Sequence, residues 1–323
     1  MSDLKTVPKP HVANKSTIAD FAEIECLRKE DGNVSSLDIT RILLREAESI
    51  GDDAVRQIVD EAFQELTIRS EHCGADGRYP YEIRGNGGLL ARRSGPAADK
   101  SPADLLYWYL LLSTQMNMKT NRNQGGHDGT ALFEHLCQEV AIRFWGGPSP
   151  NVGAIVFGTG RQTNDLHDDA ELGEGVFQSA IDKLCAALGE GTGFLRKPES
   201  AVHARDGKLD VVVWRRFSDK RPGQLIGFGQ CKTGKYWDKD LMKLQPEGFC
   251  AKWLQKRPAV LPVRLYFIAD RVIDDWYDRC VDGGIVFDRC RIVDHATNLS
   301  PALIQQIGVW VKAAAGSEGL LLS

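Results

Sequence analysis

Apolar positions recur at helical spacing through most of the first 145 residues. Ser36 or Asp38 can cap a helix running to Ala47, and a second stripe, Ala54, Ile58, Ala62 and Leu66, marks one face of another. Residues 103–116 predict a buried helix and 130–145 a further one, with the polar stretch NRNQGGHDG between them. Residues 72–101 hold Gly74, Gly77, Gly85, Gly87, Gly88 and Gly95 and predict a long loop or flexible hairpin. After that the pattern alternates. Residues 173–188 bring Glu174, Phe177, Ile181, Leu184 and Leu188 to one helical face. Three strand-like stretches follow at 193–196, 208–217 and 224–232, the last two joined by the turn-rich SDKRPG. A helix is expected over 239–255 with Leu241, Leu244, Phe249 and Trp253 inward, then a buried strand at 263–269. The order is α-β-β-β-α-β. No internal repeat is visible.

A chain of 323 residues suggests two domains, here a helical one over 1–129 and an α/β one over 130–323. With 42 % apolar and 26 % charged residues, wholesale disorder is excluded. The longest apolar run, Leu105 to Leu112, is far shorter than the ~20 residues a membrane span needs. The first fifteen residues lack the apolar stretch of a secretion signal, so a cytoplasmic protein is expected, with no membrane contact. Eight cysteines include no C-x-x-C pair, which argues against a zinc site or a disulfide framework. Net charge is −4, but residues 205–257 hold thirteen Lys and Arg against six Asp and Glu, a local +7 that leaves −11 elsewhere. Trp214, Tyr236, Trp237 and Trp253 interleave with those cations, a composition that suits a phosphate backbone and stacked bases as well as it suits a solvated face over core aromatics.

Two strand-borne fragments carry candidate chemistry, GKLDVVVW at 207–214 and GFGQCKTG at 227–234. Gln230 and Lys232 sit two apart, so they project from one face of a strand, and pairing with the preceding strand brings Asp210 beside them. The Asp210 and Gln230 oxygens, with the main-chain carbonyl of Cys231, suit Mg²⁺ or Mn²⁺. The Lys232 ammonium suits orienting a water and offsetting transition-state charge. Cys231 itself points to the opposite face and reads as core.

Over about residues 170–270 this pattern resembles the PD-(D/E)XK, or restriction-endonuclease-like, nuclease superfamily, in a Q-x-K variant similar to that of bacterial defence and DNA-repair nucleases. The resemblance implies an αβββαβ core preceded here by a helical N-terminal domain. It also implies Asp210, Gln230 and Lys232 as the active centre, and a further metal-binding Glu from the first core helix. Glu174 is the first candidate for that Glu and Glu134 the second. It implies DNA as substrate, defence against phage or other foreign DNA as setting, and a separate partner subunit or a homo-oligomer, since an acidic helical half is a poor DNA reader. Arg215, Arg216, Lys235, Trp237 and Lys239 are the expected nucleic-acid contacts. A competing reading keeps the fold without turnover, as a nucleic-acid-binding or assembly subunit. A third takes Gly229 to Lys235 (GQCKTGK) as a P-loop with Asp270 ending a Walker B-like strand, against which stands Tyr236 where a Ser or Thr hydroxyl is needed. His167, Asp168 and Asp169 read as a polar loop, and residues 84–88 (RGNGG) lack the strand–helix setting of a dinucleotide site.

Overall fold

The computed structural model describes residues 7–10, 13–47, 50–73, 77–93, 101–157, 174–195 and 208–322. The first half packs helices α1 (Lys15–Arg28), α2 (Ser36–Leu44), α3 (Asp52–His72) and α4 (Pro102–Gln115) around a three-stranded antiparallel sheet. That sheet is β1 (Asn33–Ser35), β2 (Tyr81–Arg84) and β3 (Leu89–Arg92), in the order β1-β3-β2. The glycine-rich stretch thus contains a hairpin, and Asn86 and Gly87, both at positive φ, turn it. The α2 cap is Ser35, one residue ahead of the expected Ser36, in a capping box with Asp38, and the helix stops at Leu44. A short helix α5 (Met118–Asn121) and the two-residue strands β4 (Asn123–Gln124) and β5 (His127–Asp128) lead into α6 (Gly129–Phe144). Asp128 caps α6 by accepting from the Thr130 and Ala131 N–H groups.

The second half is built on a five-stranded mixed sheet, β6 (Val152–Val156), β7 (Val211–Arg215), β8 (Leu225–Lys232), β9 (Val263–Ile268) and β10 (Ile285–Phe287). β6, β7 and β8 run antiparallel in sequence order, and β9 and β10 continue parallel to β8. α7 (Glu174–Leu188) lies between β6 and β7 in the chain, α8 (Pro246–Trp253) between β8 and β9, and α9 (Trp276–Gly283) between β9 and β10. Helices α10 (Arg289–His295) and α11 (Pro301–Glu318) close the chain. Helices cover both faces, so the central strands are apolar on both sides: VVVW in β7 is buried throughout. Val211, Val213, Leu265 and Phe267 join a large core with Trp108, Phe133, Cys137 and Trp310. Val212, Trp214, Ile226 and Phe228 face the other way, onto Phe177, Ile181 and Leu184 of α7 and Phe249 and Trp253 of α8. On that second face, over β9 and β10, Tyr266, Ile268 and Val286 lie beneath Trp237 and Leu241.

The mixed α/β character agrees with expectation, but three of the elements are not the expected ones. The first strand of the sheet is β6; residues 193–195, the described part of the expected strand, contribute an isolated bridge, Phe194 to Leu254. The helix before that first strand is α6, and α7 is inserted after it. The helix expected over 239–255 is a 3-10 turn, Trp237–Asp240, followed after a break by α8, which starts at Pro246 because proline fits the first helical turn and not the interior. The boundary at 129/130 is no seam in packing: the large core takes Ile18, Phe63 and Trp108 from one side and Val211, Phe267 and Trp310 from the other.

Candidate active site

Asp210 stands where β7 begins. Its N–H donates to the Gly229 carbonyl on β8 at 2.9 Å, and its own carbonyl accepts from Phe157 N–H, just past β6, at 2.7 Å. Its Oδ2 accepts from the Cys231 N–H at 2.7 Å, so a side chain extends the ladder one step beyond the strand. Next along the same face comes Gln230, which pairs in register with Tyr266 on the far side, as Lys232 does with Ile268. Gln230 is 1 % exposed, and among the described residues neither its Oε1 nor its Nε2 has a hydrogen-bond partner. A buried amide left so costs about 1–3 kcal/mol for each unmade bond, which marks a position built to be completed by a water or a ligand.

Lys232 is engaged. Its Nζ lies 2.6 Å from Asp240 Oδ2, in the 3-10 turn, and Lys243 pairs with the other Asp240 oxygen. Partial burial works to raise the Asp240 carboxyl, but hydrogen bonds and charge from Lys232 and Lys243 outweigh it and bring it down to about 2. Close by, Tyr266 donates to the Trp237 carbonyl at 2.7 Å, and burial, then the charges of Asp240, Asp210 and Asp238, push its phenol well up.

Cys231 points into the large core. Burial, then its hydrogen bond with Cys137 of α6, push its thiol far above the usual range, and the charges of Asp210 and Glu134 act in the same direction. The thiol is inert, as expected of a core cysteine. The same pairing locates Glu134: half-buried on α6, it acts electrostatically on Cys137 and Cys231 together with Asp210. Glu134 is therefore a carboxylate on the helix packed against β6, β7 and β8. Glu174 is the first residue of α7, and its side chain lies outside the described residues.

The expected nucleic-acid contacts separate. Lys235 and Lys239 are exposed just beyond Lys232, and Lys239 Nζ sits 5.0 Å from the ring centroid of Tyr236, which is 77 % exposed. Trp237, in contrast, is buried, donating from Nε1 to Asp270 Oδ2 at 3.1 Å beneath Arg279, so it is core and not a stacking platform. Arg215 ends β7 about 16 Å from Asp210 at the usual rise per residue, and Arg216 follows it. They donate there to the carbonyls of Trp145 and Ala187, each at 3.0 Å, so they do not join the site. Asp240 and Tyr236 are the additions. Both sit inside a stretch expected to be helix or its approach, and the proximity of Asp240 to Lys232 arises from the turn that replaces that helix.

The P-loop arrangement is not formed. Gly229 through Lys232 belong to β8, which enters antiparallel to β7, and the helix after Lys235 begins only at Pro246. Asp270 follows β9 but is committed to Trp237 and to the Arg271 N–H, and burial raises its carboxyl. Residues 84–88 form the β2–β3 turn, and His167, Asp168 and Asp169 lie outside the described residues. Among the described residues no three His, Cys, Asp or Glu side chains converge to hold a metal ion, and no helix is long and apolar enough to cross a membrane. Comparison with protein-family models, with curated proteins and with solved structures finds no match to this chain.

Proposed function

We propose that the chain is a metal-dependent nuclease of the PD-(D/E)XK kind that hydrolyses phosphodiester bonds in DNA. The observation that carries this reading is the grouping at one end of the mixed sheet: Asp210 at the start of β7, with Gln230 and Lys232 two residues apart on β8. The element order from α6 through β9, with β6, β7 and β8 antiparallel and β9 parallel to β8 after α8, supports a restriction-endonuclease-like core.

The donor set suits Mg²⁺ or Mn²⁺, which take hard oxygens. The unpartnered Gln230 amide fits a site completed by such an ion or its water. Asp210, Gln230 and the main-chain carbonyl of Cys231 would hold the cation. Glu134 has the better support as further carboxylate, because its charge and that of Asp210 both act on the Cys231 thiol, and Glu174 is the alternative. A bound divalent cation supplies Lewis acidity at the scissile phosphate. Lys232 orients the attacking water and offsets developing negative charge, while Lys235 and Lys239 hold the flanking backbone. Cytoplasmic defence against foreign DNA, with a partner subunit or a second copy of the chain, is the setting we infer.

A silent DNA-binding or assembly subunit is the second reading, favoured by the neutral Gln230 and by the Lys232–Asp240 pair. Cleavage of plasmid and linear DNA with Mg²⁺, Mn²⁺ or EDTA separates the two. Metal-dependent cutting lost in Asp210→Ala and Lys232→Ala is the expected result. Cutting that survives both substitutions sinks the assignment, and DNA binding indifferent to EDTA without cutting favours the silent module.

A further inference from the structure

Asp240 is in direct contact with Lys232, and its place in the sheet matters. The 3-10 turn that carries it leads into Leu241, which packs with Tyr266, Ile268 and Val286 over β9 and β10. Asp210 stands on the opposite, β7 side of β8. The 2.6 Å ion pair therefore ties the Lys232 ammonium to the turn that packs over β9. Lys232 and Asp240 are 27 % and 20 % exposed, so water competes only partly for either charge. Lys243 gives Asp240 a second counter-ion. If Lys232 leaves, the carboxylate remains paired.

Resting on the nuclease reading above, we propose that Asp240 is the positioning residue of Lys232, holding its ammonium on the β9 side until a substrate phosphate draws it to Asp210 and Gln230, with Lys243 making that exchange easy. Asp240 is then a brake on the resting site and Lys243 loosens it.

Two readouts test this on the full-length chain. The first needs no activity: brief acetylation with an N-hydroxysuccinimide ester, followed by peptide mass spectrometry. Lys232 should react slowly beside exposed Lys235 and Lys239. Asp240→Asn should speed Lys232 about fivefold or more, the scale of losing one charge-assisted contact, and Asp240→Glu should restore the protection. The second is single-turnover DNA cleavage. Asp240→Asn should raise the rate constant several-fold, and Lys243→Gln should lower it in the wild-type background but not in the Asp240→Asn background, since its effect passes through Asp240. A direct Lys243–phosphate contact would lower the rate in both backgrounds and overturn its part of the proposal. A fall in Asp240→Asn to the level of Lys232→Ala would make Asp240 a working member of the site and overturn the brake. Unchanged Lys232 labelling in Asp240→Asn overturns the hold itself, whatever the chain cuts. A wild-type chain that never cuts DNA, with labelling changed as expected, sinks the nuclease reading and leaves the hold on Lys232 standing.

Discussion

Gln230 is the most exposing test of the site because its environment is hostile to charge and yet unfinished. Its amide is 1 % exposed with both ends unpaired among the described residues, and Asp210 lies beside it across the strand pair. Gln230→Glu places a second carboxylate there. Without a cation, desolvation and repulsion from Asp210 both disfavour its ionised form, so the variant should melt several degrees below wild type in EDTA. A divalent cation bound by this pair gains an anionic ligand, so millimolar Mg²⁺ should raise the melting temperature of the variant by clearly more than that of wild type. Equal Mg²⁺ responses would place the cation elsewhere or nowhere. Asp210, Gln230 and Lys232 are legible in the sequence because two-residue alternation along β8 and a hairpin partner decide their grouping. The partner of Lys232 is not legible, since Asp240 reaches it only through a turn whose course depends on Trp237 and Leu241 docking onto β9.

At the scale of elements, β8 shows how composition fits a strand to its neighbours. Gly227 and Gly229 lie on its large-core face. A Cβ on Gly227 would come within 2.8 Å of Leu265 and Trp145 and 2.9 Å of Val213, and one on Gly229 within 2.9 Å of Phe267. Bulk from the flanking strands and α6 fills the space those side chains would take. Gly227→Ala is therefore expected to destabilise by about 1–3 kcal/mol, read as a lower urea midpoint at unchanged slope, because the atoms it would meet belong to packed side chains on β7, on β9 and at the end of α6. A midpoint equal to that of wild type would mean that the core yields at no cost. The same element shows which strands sequence reveals. β7 and β8 carry their own apolar pattern, whereas β6 is a half-buried edge strand, VGAIV, defined mainly by its register with β7. A more strand-like stretch at 193–196 stands in for it in the sequence, and its described residues form an isolated bridge. Under the nuclease reading proposed above, that exchange makes α6 rather than α7 the first core helix, and Glu134 rather than Glu174 the favoured glutamate.

Across the whole molecule, the two halves are held by buried charge as well as by shared apolar core. Asp20 on α1 accepts from Arg69 Nη1 at 2.7 Å and from Arg289 Nη1 at 2.8 Å, and Arg289 Nε donates to the Ala269 carbonyl at the end of β9. Glu23 lies beside the same Arg69 and accepts from the Tyr79 and Tyr107 hydroxyls, each at 2.7 Å. No local pattern announces such a network, because its partners are separated by up to 269 residues. The two acids should respond to pH in opposite senses. Burial works to raise Asp20, but the Arg289 and Arg69 guanidiniums outweigh it and hold it well below the usual range. Asp20 thus stabilises fully above its unfolded value near 4, and that contribution fades as pH falls toward its folded value. For Glu23 burial dominates; Arg69 pulls its carboxyl down and Asp20 pushes it up, and the balance is raised. A raised carboxyl favours folding below its unfolded value near 4.3 and loses that contribution as pH climbs through its folded value. Asp20→Asn should therefore cost about 3–5 kcal/mol at pH 7, as expected when one partner of a buried pair is removed, and distinctly less at about pH 3, inside the window between its folded and unfolded values. Glu23→Gln should show the reverse trend, costing more at about pH 3 than at pH 7. Chemical unfolding of both variants at the two pH values decides it: parallel pH dependences would mean that the four buried charges act as one neutral block and that neither carboxylate titrates on its own.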